Sequence, residues 1–173
     1  MSARPAPARP RWGWHRLDPS TACRVVAQSG VRPGDLVVDL GAGTGALTSA
    51  LVAAGARVVA VERHAGRADA LRLRFADDPV TVVEVDLHAL RLPTRPFRVV
   101  ANPPWSVAEH VRSSLLRAPA LVRADLVLPR WLVHRWAEQS RRVSVGASVR
   151  AESLSPPAPV GAAVAIIGGR WAR

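Results

Sequence analysis

Apolar residues along this chain fall into short uninterrupted runs, and between the runs they recur at helical spacing. Leu36–Leu40, Arg57–Glu62, Val80–Val85, Phe97–Ala101 and Ala124–Leu128 are such runs. Runs this short, apolar at consecutive rather than alternate positions, predict strands covered on both faces. Leu47, Leu51 and Ala54, then Ala68, Leu71 and Phe75, then Val107, Val111 and Leu115 recur at intervals of three and four. Each set places its apolar side chains on one face of a helix. Arg130–Ser140 predicts a further helix with a basic side, and Asp18-Pro19-Ser20 is a start signal for a short helix from Thr21 to Ser29. Alternation of this kind predicts parallel strands joined by crossover helices.

The last third breaks the pattern. Val143–Ala151 and Val160–Ile167 are strand-like runs joined by Leu154–Pro159, with prolines at 156, 157 and 159 and no helix between. They predict an antiparallel hairpin at one edge of the sheet. The expected architecture is therefore α/β: a mostly parallel seven-stranded sheet, helices on both faces, and a terminal antiparallel pair.

Length and composition change this picture little. A chain of 173 residues, 49% apolar, suits one domain with a real core. Residues 1–11, rich in proline and arginine, read as a flexible basic arm before a domain spanning 12–173. Charge adds more. All 24 basic residues are arginine, against 13 acids, for a net charge of +11. That excess implies a polyanionic partner. The lone Cys23 excludes an intramolecular disulfide and a cysteine zinc cluster. No metal is expected. Without a secretory signal or a run of about 18 apolar residues, the expectation is a cytoplasmic protein with no membrane partner.

The chemistry sits at strand ends. Asp39, Glu62, Asp86 and Asn102 each sit at or near the end of a strand-like run, and in an open parallel sheet those ends line one crevice. Gly41, Gly43 and Gly45 let the backbone turn tightly and approach a ligand, and the following helix supplies free N–H groups. Glu62 lies about 20 residues beyond, a spacing suited to ribose hydroxyls. Asp86 offers an acceptor for an adenine amino group. The loop alone fits a nicotinamide dinucleotide as well as S-adenosylmethionine. Asn102-Pro103-Pro104-Trp105 separates the two. An exocyclic amine conjugated to a ring is a poor nucleophile. The Asn102 side-chain oxygen and the Pro103 carbonyl would accept its N–H bonds and free the lone pair. Trp105 would offer a stacking face to an extruded base.

With these motifs the chain resembles class I S-adenosylmethionine-dependent methyltransferases. More narrowly it resembles the erythromycin-resistance-type 23S rRNA adenine N6-methyltransferases, in a short actinobacterial and mycobacterial branch. The resemblance runs from about Trp12 to Arg170. It is carried by Asp39–Thr48, Glu62, Val85-Asp86-Leu87, Asn102–Trp105 and Pro156–Val160. It implies a Rossmann-like fold and one or two methyl transfers to an adenine near the peptide exit tunnel. Resistance to macrolide, lincosamide and streptogramin B antibiotics would follow. Asn102, Pro103 and Trp105 would be catalytic. The cofactor set would comprise His15, Leu17, Asp39, Gly41, Ala42, Gly43, Gly45, Glu62, Arg63, Asp86, Leu87 and Asn102. The product would be S-adenosylhomocysteine. Trp14-His15-Arg16-Leu17 stands where the family has a Gln-Asn-Phe-Leu-like segment. Pro103 and Trp105 replace Ile or Leu and Tyr or Phe, leaving mono- or dimethylation open. Contact with 23S rRNA would fall to Arg9, Arg11, Arg130, Arg135, Arg141 and Arg142, on a monomer. Methylation of another planar amine (DNA adenine, another rRNA adenine or protein glutamine) and a weakly active RNA- or cofactor-binding relative are the alternatives.

Overall fold

The computed structural model describes residues 15–158 and 160–169. Arg9, Arg11, the basic arm, Trp12 and Trp14 lie outside the described residues.

The elements run β1 (Arg16–Leu17), α1 (Pro19–Gln28), β2 (Leu36–Leu40), α2 (Ala46–Ala53), β3 (Arg57–Glu62), α3 (Ala65–Arg74) and β4 (Val80–Glu84). Then follow β5 (Phe97–Ala101), α4 (Ala108–Arg117), β6 (Leu121–Pro129), α5 (Arg130–Gln139), β7 (Val143–Val149), β8 (Leu154–Ser155) and β9 (Ala162–Gly168). Seven strands form one sheet in the order β4-β3-β2-β5-β6-β9-β7. β2 to β6 are parallel, and β9 is antiparallel to both β6 and β7. This is the Rossmann-like architecture expected from the alternation.

Consecutive valines explain why the sheet is covered on both sides. In β2, Val37 belongs to the core on the α1 and α2 side (Val25, Val26, Leu47, Leu51), while Val38 belongs to the core on the α4 and α5 side (Val111, Leu115, Val133, Trp136). Both are 2% exposed or less. The C-terminal strands pair antiparallel as expected, but β9 inserts inside β7. Their compositions account for the order. β9, Ala162–Gly168, is buried at most positions, whereas β7 exposes Ser144, Val145 and Ser148 and carries a register shift between Val145 and Ser148. Polar, irregular strands suit edges.

Strand order reverses between β2 and β5, since β3 and β4 lie to one side and β6 to the other. Their ladder holds only Val37–Arg98 and Val38–Val99, short of the ends that carry Asp39 and Asn102. A reversal of this kind opens a crevice beyond the strand ends. A second, two-stranded sheet pairs β1 with β8, Arg16 opposite Ser155 and Leu17 opposite Leu154. No periodicity announced it, because each strand has only two residues. It ties the first described residues to the rim of the crevice.

Candidate active site

The glycine loop leaves β2 through Gly41, whose φ is +79°. The N–H groups of Gly41 and Ala42 both donate to the Val61 carbonyl at 2.9 Å. A Cβ at Gly41 would lie 3.0 Å from Pro104 Cδ, so the loop and the tetrapeptide touch where only a hydrogen fits. At Gly45, φ is +85° and a Cβ would come within 2.8 Å of the Phe75 ring. α2 starts immediately after. Arg74 fastens this turn from α3, donating to the Thr44 carbonyl and to Ser49 Oγ, both at 2.7 Å.

Asp39 lies under the loop, 1% exposed, and accepts from Thr48 Oγ1 at 2.8 Å. Burial pushes its carboxyl up to about 7, against the Thr48 hydrogen bond and with help from the Glu62 charge. Glu62 is also buried. Its Oε2 accepts from the Gly43 N–H at 3.0 Å, while Oε1 accepts from the His64 N–H at 2.8 Å and from Arg67 at 3.0 Å. The acid at the end of β3 thus braces the glycine loop, and Arg67 was not foreseen. Asp86 is exposed. Its carboxylate takes the His88 N–H at 2.9 Å and Arg63 at 3.1 Å, which hold it below its ordinary value.

Glu62 and Asp86 meet in a cavity of about 560 Å³. Gly41, Glu62, Arg63, Asp86, Leu87 and Val107 are among its walls. A smaller recess on the other side of the loop is lined by His15, Leu17, Asp39, Gly41, Ala42 and Asn102. The residues fit S-adenosylmethionine. There is a cradle at Gly41 that a Cβ would fill, acidic acceptors at two successive strand ends, and room in the ordinary range for a small-molecule site. Glu62 and Asp86 would take the ribose and the adenine, and the loop the methionine part. Among the described residues no cluster could hold a metal ion.

Asn102, 9% exposed, closes β5. Its Nδ2 donates to the His15 carbonyl at 2.6 Å, which leaves Oδ1 as the acceptor for a ligand amine. The β1–β8 pairing brings His15 here. Its Nδ1 lies 2.7 Å from the Pro156 carbonyl, and its ring meets Trp105 with centroids 4.6 Å apart. Trp105 departs from expectation. It is half-buried against both cores, its indole N–H is buried, and His15 occupies its ring. The small sheet carries His15 onto this ring, tilted by 37°, where the tetrapeptide suggested a face open to a base. Leu17 likewise is 3% exposed and packs in the core beside the recess.

The arginines expected to meet RNA have unequal fates. Arg142 is a structural clamp: it donates to the Gly168 carbonyl at 3.0 and 2.9 Å and to the Leu116 carbonyl at 2.8 Å. The expectation that it contacts RNA is corrected accordingly, since its donors tie β7 to β9 and α4. Arg130 donates to Ser148 Oγ at 2.9 Å, Arg135 pairs with Glu109, and both remain exposed. Arg141 is exposed.

Strand order and the crevice beyond the strand ends define a Rossmann-like α/β fold. The chain belongs to the ribosomal RNA adenine dimethylase family, which matches residues 9–153. Ribosomal RNA small subunit methyltransferase A of Leifsonia xyli is 38% identical over 137 residues, covering 75% of this chain and 47% of that protein. The chain spans about half the length of the curated relatives it matches. Among solved structures, 23S rRNA methyltransferase ErmE superposes with a TM-score of 0.81 at 23% identity, covering 90% of this chain and 70% of that one. At that identity the likeness is one of fold. A glycopeptide N-methyltransferase, MtfA, solved with S-adenosylhomocysteine, shares the fold at a TM-score of 0.62 and 16% identity, with 88% of each chain covered.

Proposed function

We propose that this protein methylates N6 of an adenine in ribosomal RNA, in 23S rRNA near the peptide exit tunnel, and so confers resistance to macrolide, lincosamide and streptogramin B antibiotics. The observation that carries the amine chemistry is Asn102. Its amide nitrogen is spent on the His15 carbonyl, so the side chain is oriented with Oδ1 available as an acceptor. Bound S-adenosylmethionine supplies an electrophilic sulfonium methyl and leaves as S-adenosylhomocysteine. Asn102 Oδ1 and the Pro103 carbonyl accept the two N–H bonds of the amine and draw it toward tetrahedral geometry. Pro103 and Pro104 stiffen the carbonyl's position. The crowded contact of Pro104 with Gly41 keeps this pair in register with the glycine loop. Once the new N–C bond has formed, the amine nitrogen loses its surplus proton to water. The protein acts as a cytoplasmic monomer, with residues 1–11 as a basic arm and 12–173 as the catalytic domain. The net charge of +11 suits a polyanionic substrate, and the resemblance to the erythromycin-resistance-type enzymes favours 23S rRNA. A second reading, small-subunit rRNA, is favoured by the name its curated relatives carry.

The test is transfer from labelled S-adenosylmethionine to protein-free 23S and 16S rRNA, with modified adenines mapped. Methyl-adenine at the exit tunnel is expected. Label confined to 16S rRNA would replace the first reading by the second, and label in neither would overturn both. Asn102→Ala should reduce transfer at least about 100-fold while cofactor binding persists.

A further inference from the structure

The described part of the chain exposes one indole: Trp131, 56% exposed, in the first turn of α5. It was absent from the residues singled out by sequence. An exposed indole offers a flat apolar face with a polar N–H, and such rings are enriched at interfaces. Its position is not arbitrary. β6 runs parallel to β5 and ends at Pro129, and α5 begins at the next residue, so Trp131 sits at the same end of the sheet as Asn102.

The Arg135 guanidinium lies over the indole, 5.2 Å from the ring centroid, and is itself fixed by Glu109. Glu109 in turn accepts from the buried Trp136 indole N–H at 2.9 Å. Burial opposes ionisation of Glu109, but the donors from Trp136 and Arg135 prevail, and it stays below its ordinary value. A buried residue therefore anchors the cation that steadies an exposed ring. Exposed Arg130 and His134 flank the ring on the same helix, and Arg141 follows the helix end.

The Arg130 N–H donates to the Gly161 carbonyl at 3.0 Å, and Pro156, in the same connection, meets His15 beside Trp105. Two residues between β8 and β9 thus touch the two places, Pro156 at His15 and Gly161 at Arg130.

We propose that Trp131 and Arg135 form a stacking platform for an unpaired nucleotide flanking the target adenine, with Arg130 and Arg141 on its phosphates. Stacking on an aromatic ring backed by a guanidinium tolerates any base, and phosphates complement the net charge of +11. This rests on the proposed reading that the substrate is RNA.

Binding is measured by anisotropy of a fluorescein-labelled single-stranded adenine-rich RNA, and transfer by KM for rRNA. Trp131→Ala should weaken RNA binding about tenfold and raise the rRNA KM to match, with the S-adenosylmethionine KM unchanged. Trp131→Phe should recover most of the loss and Trp131→Leu little. The difference between wild type and Trp131→Ala should vanish on a baseless oligonucleotide of the same length. Equal RNA affinity for wild type and Trp131→Ala overturns the platform, leaving the patch to a protein partner. Weakened binding by Trp131→Ala in a protein that methylates neither rRNA keeps the platform and removes the proposed reaction instead.

Discussion

Replacing Asp39 by Asn removes a titrating group without changing shape, and Asn can still accept from Thr48. Burial lifts the Asp39 carboxyl from 3.8 to about 7. The folded protein thus holds a proton on Asp39 that the unfolded chain releases near pH 4. Where the folded state binds more protons, stability falls as pH rises. The loss begins as pH passes the unfolded value and is complete once it passes the folded one. A shift of about 3 units at about 1.4 kcal/mol each gives about 4 kcal/mol over that window. Asp39→Asn lacks this slope. It should have nearly wild-type stability near pH 4 and exceed it by up to about 4 kcal/mol near pH 8. Urea unfolding followed by tryptophan fluorescence across that range measures it, and other carboxylates cancel in the difference. A stability difference that stays constant from about pH 4 to pH 7 would refute a neutral, buried Asp39.

Two further substitutions test the loop and the clamp. Gly45→Ala would force a side chain into a positive-φ position and against Phe75 and Leu71. It should destabilise by at least about 1–2 kcal/mol and weaken S-adenosylmethionine binding, read by denaturation and calorimetric titration. Arg142→Ala should lower stability by about 1.5–3 kcal/mol, because two carbonyls lose charged donors, yet leave RNA affinity within about twofold. A selective loss of RNA binding would restore Arg142 to the interface.

Much of the frame was legible in the chain. β2, β3 and β5 occupy 36–40, 57–62 and 97–101, the ranges their apolar runs predict, because a doubly covered strand needs apolar residues at consecutive positions. The strand-end acids and Asn102 were legible for a related reason. A polar residue that interrupts an apolar run has to face a crevice or find a partner. The order of β7 and β9 was not, since both runs look like strands and only competition for the buried position ranks them. Nor was the bond from Asn102 to His15, which depends on two-residue strands far apart in sequence.

What the sequence determined by itself is local: periodicity, turn glycines and the identity of chemically capable residues. Each needs only neighbours in the chain, and together they pointed to amine methylation before any contact was known. The tertiary structure decided which capable groups are free to act. It turned Arg142 inward, carried His15 onto the Trp105 ring, lifted the Asp39 carboxyl by burial, and left Trp131 in solvent. Hydrogen-bond partners and burial are set by elements that meet only once the sheet is assembled, so no local pattern records them.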